Sequence, residues 1–163
     1  MKALMIEKPA LRLIGMAVQV TLRDVQISKA TLRLSSEFIE RQGDIQKRLN
    51  ERVMYGVSTD PEHYNPETDP FEFFIGQEVS SDSDIPDGMV YRELLANTYV
   101  SFTFQGCYDN AGAVHQYLHT RWLTDSGYAL AGLYNVEIYD ERNHGPESED
   151  SETDIWFPVR LKG

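Results

Sequence analysis

Glu137 is the carboxylate of this chain with the most unusual setting. It stands between Val136 and Ile138 in the run Tyr134 to Tyr139. Side chains alternate along a strand, so Glu137 shares a face with Asn135 and Tyr139 and opposes the apolar pair. By pattern alone this is equally an edge-strand acid in solvent. Other reactive types give less. His115 and His119 are four apart on a predicted helix, a spacing that can bring two imidazoles to one metal. No third ligand stands at fixed spacing, and the motif HQYLH lacks the glutamate of a zincin, so a solvated helix face is expected, with no metal and no cofactor. Ser101 and Ser126 lie in no nucleophile-elbow motif, and no catalytic residue is assigned. The acidic run Glu147 to Asp154 does not have the spacing of an EF-hand loop and reads as a mobile, solvated loop. Cys107 has no CxxC partner and reads as an inert thiol.

The elements that must position these groups belong to an ordinary globular chain. Its 163 residues are 41% hydrophobic and 11% aromatic, which excludes a wholly disordered protein. A net charge of −11 opposes direct binding to nucleic acid, because duplex recognition depends on neutralising phosphates. No apolar run approaches the roughly 20 residues that span a bilayer, so no membrane partner is expected. Met1 to Pro9 holds Lys2 but no apolar stretch of secretory length, and a lone cysteine forms no internal disulfide; a cytoplasmic setting is expected.

Strict alternation of Ile14, Met16, Val18, Val20 and Leu22 with smaller or polar residues predicts a first strand over 14–22. Ile27, Ala30, Leu34 and Phe38 follow at helical spacing, and Ile45 and Leu49 extend the stripe past Gly43, predicting a long helix kinked there. Residues 55–58 and 71–79 read as a hairpin with a long, proline-containing loop. The polar segment Ser80 to Gly88 is a connector. Beyond it come a short strand at 91–95 and a clear one through Val100, Phe102 and Phe104. A helix capped by Asp109 follows, with the stripe Val114, Tyr117, Leu118 and Trp122, and then strands at 133–139 and 155–161.

Strand, helix and hairpin have thus recurred. Tyr55-Gly56-Val57 parallels Tyr134-Asn135-Val136, and Phe73-Phe74-Ile75 parallels Ile155-Trp156-Phe157. Such self-similarity predicts an α+β fold of two pseudo-symmetric βαββ halves, about 10–80 and 96–163, in one domain over 1–163. Pairing the halves gives a larger antiparallel sheet with two main helices, and leaves a central cleft as the default ligand site.

The stretch from Tyr134 to Val159, YNVEIYDERN followed by an acidic loop and TDIWFPV, resembles the closing signature of gyrase-inhibitor-like (GyrI-like) and AraC-type effector-binding domains, whose SHS2-like halves match the architecture above. Weaker similarity lies in YVSFTFQGCY (99–108) and PALRLIGMAV (9–18), while TLRDVQISK departs from the glycine-containing turn usual before the first helix. No helix-turn-helix pattern precedes the domain, so a standalone member is expected. The resemblance implies that Glu137 lies at the bottom of an aromatic pocket and faces a cation. Such a ligand would relieve an otherwise costly buried charge and gain roughly 0.5–2 kcal/mol per well-placed ring. Tyr139, Trp156, Phe74, Phe102 and Tyr55, on the strands around Glu137, are the candidate wall residues, though each could equally be core. Trp156 meets either the cleft or the surface, and Tyr117 and Trp122 follow the helix stripe into the core. The expected function is non-catalytic binding of a hydrophobic, cationic small molecule, as the sensor module of a transcription regulator. The alternatives are a hydrolase of cyclopropane-bearing electrophiles, with Glu137 activating water, and docking on a basic regulator or topoisomerase.

Overall fold

A computed structural model describes residues 1–80 and 83–163, with the side chain of Asp109 also outside the described atoms. The helix cap expected at Asp109, and Ser81 and Asp82 of the connector, therefore lie outside the described residues. The strands are β1 (Ala3–Lys8), β2 (Leu11–Val20), β3 (Met54–Thr59), β4 (Phe71–Glu78), β5 (Val90–Leu94), β6 (Asn97–Gln105), β7 (Tyr128–Leu130), β8 (Tyr134–Tyr139) and β9 (Glu152–Leu161). Helices α1 (Leu22–Ser28) and α2 (Ala30–Arg41) follow β2. Helix α3 (Ala111–Tyr117) continues through a π-helical turn at Leu118–Trp122 into α4 (Leu123–Ser126). No helix among the described residues is long and apolar enough to cross a membrane.

All pairings are antiparallel, in the order β1-β6-β9-β8-β3-β4-β2-β5, with β7 added beside β9. The order is symmetric about the β8–β3 pair, where Val136 faces Val57. The α+β architecture of two pseudo-symmetric halves is therefore present. Two residues join β1 to β2 and two join β5 to β6, yet β1 pairs with β6 and β5 with β2. A two-residue link spans only about 10 Å, so strands at opposite flanks of the sheet must approach at their ends. The sheet curls to allow it, and Glu7–Pro9 and Ala96–Thr98 line one surface hollow.

Curling gives the sheet two unlike faces. The helix-free face holds Leu13, Val57, Phe74, Tyr99, Val136 and Trp156. On the other face, α2 covers Ile14, Phe71, Phe73 and Ile75 through Phe38. Helix α3 and the π-helical turn after it cover Val100, Phe102, Ile155 and Phe157 through Val114 and Leu118. The glycine pair Gly15–Gly76 permits close approach of β2 and β4, since a Cβ on Gly15 would stand 1.9 Å from the Ile75 carbonyl oxygen.

Several sequence expectations need correction. The first strand ends at Val20 because Thr21 caps α1: its hydroxyl accepts from the Asp24 amide, and the Asp24 carboxylate accepts from the Thr21 amide. The helical break falls at Lys29, in the left-handed region, and not at Gly43; α2 stops at Arg41. Beyond it, Ile45 is buried from an extended backbone, and Leu49 is exposed, its amide bonded to the Glu78 carbonyl at the end of β4. Pairing with the sheet replaces helix there. Strands β1 and β7 were not anticipated.

Candidate functional site

Glu137 and Tyr139 point to the helix-bearing face, into a cavity of about 300 Å³ between the halves. Met54, Ile75 and Phe104 form its apolar floor. Leu32, Ser35, Ser36 and Ile39 of α2 form one wall, and Gly106, Tyr108, Asn143, Gly145 and Pro146 the other. The α2 residues fall at i, i+3, i+4 and i+7, one face of a helix. Two serines in the middle of that face keep the wall thin where larger residues would fill the space.

The Tyr139 hydroxyl donates to Glu137 Oε2 at 2.5 Å. Gly56 makes this possible. It pairs with Glu137 across β3–β8, and a Cβ there would stand 3.0 Å from Tyr139 Cε2 and 3.1 Å from the hydroxyl oxygen. The tyrosine ring lies back over the bare glycine and reaches the carboxylate two residues earlier in its own strand. Burial pushes the Glu137 pKa up, and the Tyr139 hydrogen bond only partly opposes this. The Tyr139 hydroxyl is pushed well above its ordinary value by burial and by the neighbouring carboxylate. Among the described residues, Glu137 makes no ion pair.

The far wall is fixed by its own polar network. Arg142 donates to both oxygens of Asp140 (3.0 and 2.9 Å) and of Asp154 (3.2 and 2.9 Å), and Thr103 donates to Asp154 at 2.6 Å. The Arg142 bonds hold Asp140 below the ordinary carboxylate range. Ser151 is buried, donating to the Gly145 carbonyl and accepting from the His144 amide. The segment expected as a mobile loop is therefore tied down where it meets the cavity, and its end, Glu152 to Asp154, is already strand β9.

The remaining expected wall residues lie elsewhere. Trp156 pairs directly with Val136, whereas Glu137 pairs with Ile155. Cross-strand partners share a face, so Trp156 is buried on the helix-free side, with Tyr55 at 6.3 Å and Tyr99 at 5.4 Å between ring centres. Phe74, opposite Val57, lies there too. Phe102 is on the helix-bearing side but packs against Tyr117, Trp122 and Phe157 under α3. Phe104, one strand repeat further on, is the residue of β6 that reaches the cavity. His115 is edge-on to Phe157 at 5.2 Å, its pKa pushed down to about 4 by burial and by His119. No group of three or more His, Cys, Asp or Glu is arranged for a metal among the described residues.

Residues 1–160 match the family described as GyrI-like small molecule binding domain. The transcriptional regulator BrlR of Pseudomonas aeruginosa is 27% identical over 159 residues, covering 98% of this chain and 56% of BrlR. The chain thus spans little more than half the length of that relative. Two solved structures share the fold. SAV2435 bound to tetraphenylphosphonium has a TM-score of 0.70 and 15% identity, covering 98% of this chain and 94% of that one. EcmrR, in a DNA complex, has a TM-score of 0.73 and 19% identity, covering 99% of this chain and 58% of that one.

Proposed function

This chain belongs to the GyrI-like small-molecule-binding family, related to the effector domains of transcription regulators, and from that premise we propose that it binds hydrophobic organic cations in the cavity above Glu137. The observation that carries this is a carboxylate at an apolar floor, hydrogen-bonded by Tyr139 and paired with no cation among the described residues. A charge taken out of water costs free energy until it is compensated. A lipophilic cation supplies the compensation and meets the rings of Tyr139, Tyr108 and Phe104 at the same time. The cavity is at the small end of the range for drug-sized ligands, so shape will select as strongly as charge. In this reading the chain is a sensing module, its output delivered by whatever DNA-binding unit it serves.

Tetraphenylphosphonium is a suitable probe, since a protein of the same fold is bound to it. Calorimetric titration of wild type against Glu137→Gln should show affinity at least roughly tenfold lower in the variant. Equal binding by both proteins would overturn the charge role. The pH dependence has a definite sign. Because the folded pKa of Glu137 lies above its unfolded value, the native chain holds the extra proton; that stability is present at low pH and lost as pH rises through the folded pKa. A bound cation favours the ionised form. Affinity should therefore rise with pH through this titration, with proton release visible as calorimetric heats that depend on the buffer's ionisation enthalpy.

A further inference from the structure

The cavity's two walls come from different halves of the chain and are joined across its edge. Lys29, one turn before Leu32 on the α2 wall, donates from its ammonium to the Tyr108 hydroxyl at 2.7 Å, with Nζ 5.5 Å from the ring centre. Tyr108 lines the cavity from the opposite side. Its backbone is anchored: the Tyr108 amide donates to Pro146 and the Gly106 amide to Ser151, each at 2.8 Å. Lys29 stands on the opposite kind of support. Its φ of 54° is in the left-handed region, which residues bearing a side chain rarely adopt. It is the joint between α1 and α2, and α1 carries no buried residue. One wall is thus fixed, and the other ends at a strained junction beside a short, capped helix that touches the core only through the partly buried Val25.

We propose that the Lys29–Tyr108 contact is a clasp that limits the rate at which ligands enter and leave the cavity. The inference rests on the ligand reading above and concerns the access of ligands to that site. A cavity of about 300 Å³ is tight for a bulky aromatic cation, so the walls must part for passage. A contact that spans them is the charge-assisted hydrogen bond from the exposed Lys29 to the half-buried Tyr108, strong enough to hold and accessible enough to release. Rotation at Lys29 would swing the start of α2 away from Tyr108 while the Arg142-tied wall stays in place.

Lys29→Met removes the donor and keeps the apolar stem; Tyr108→Phe removes the acceptor and keeps the ring on the wall. With tetraphenylphosphonium as probe, exchange broadening of its phosphorus NMR line gives the exit rate, calorimetry gives Kd, and their ratio gives the entry rate. Each variant should raise entry and exit together by roughly threefold or more, with Kd changed less than the rates. The double variant should exceed Lys29→Met alone by little, because both substitutions open the same contact. Unchanged rates, or effects of the two substitutions that multiply, would overturn the clasp. The same titrations with Glu137→Gln separate the two ideas: equal affinity there removes the charge role and leaves the clasp to be judged by the rates alone. Absence of binding by wild type would end both.

Discussion

The two halves place the same backbone around different volumes. With Val57 opposite Val136 at the centre, Phe74 corresponds to Trp156, Ser58 to Glu137, Asp60 to Tyr139 and Arg92 to Lys8. On the helix-free face the second half is full: Trp156 packs on Tyr55 and Tyr99, and the Lys8 ammonium lies 5.2 Å from its ring centre. In the first half the smaller Phe74 leaves a hollow of about 310 Å³, with Arg92 turned instead to a two-bonded pair with Glu72. Across the sheet the imbalance is reversed. Val114 and Leu118 fill the space under α3, whereas α2 presents its two serines and leaves the cavity open. Repetition sets where strands and helices go; residual volume and one carboxylate decide which side can hold a ligand.

The contrast can be broken at its largest residue first. Trp156→Ala should cost roughly 3–5 kcal/mol of stability, measured by denaturant unfolding, because a large buried ring leaves a cavity. Its effect on cation affinity in the folded protein should be small, since the ring lies on the far face; a selective loss of binding would contradict the division between faces. Gly56→Ala tests the near face. The added methyl crowds Tyr139, so about 1–3 kcal/mol of destabilisation is expected, with weaker cation binding as the Tyr139–Glu137 bond is displaced. Normal affinity in that variant would mean the tyrosine does not position the carboxylate. Arg142→Met is the mildest. Its ion pairs are partly exposed, so global stability should fall by about 1 kcal/mol or less, while hydrogen exchange at Gly145 and Ser151 accelerates.

Much of this was legible from periodicity. Alternation put Glu137 and Tyr139 on one face of β8, and the internal repeat aligned Tyr55 with Tyr134 and Phe74 with Trp156 in the register the sheet adopts. Strand parity relates residues within a strand but leaves open which face of a neighbouring strand it matches. Parity alone therefore allows Trp156, Phe74 and Tyr55 beside Glu137, whereas the pairings Val136–Trp156, Val57–Phe74 and Tyr55–Ile138 place them on the other side. The α2 wall does carry a signal, in the spacing of Leu32, Ser35, Ser36 and Ile39, but the neighbouring stripe through Leu34 and Phe38 is more apolar and marks the core-facing side more strongly. Gly56 and the Lys29–Tyr108 contact depend on residues 81 and 79 positions apart, which no local pattern records.

The exchange of first strands also constrains how the chain assembles. Since β1 is completed only by β6, and β5 only by β2, neither half can satisfy its own sheet before the other exists. Pairings between an N-terminal strand and one near the middle of the chain must close long loops before they are rewarded, which slows folding relative to proteins built from local contacts. They also make the halves mutually dependent, like two hands each gripping the other's wrist. A chain cut between β4 and β5 should yield fragments that are unstable separately and that recover a folded, cation-binding molecule only when mixed.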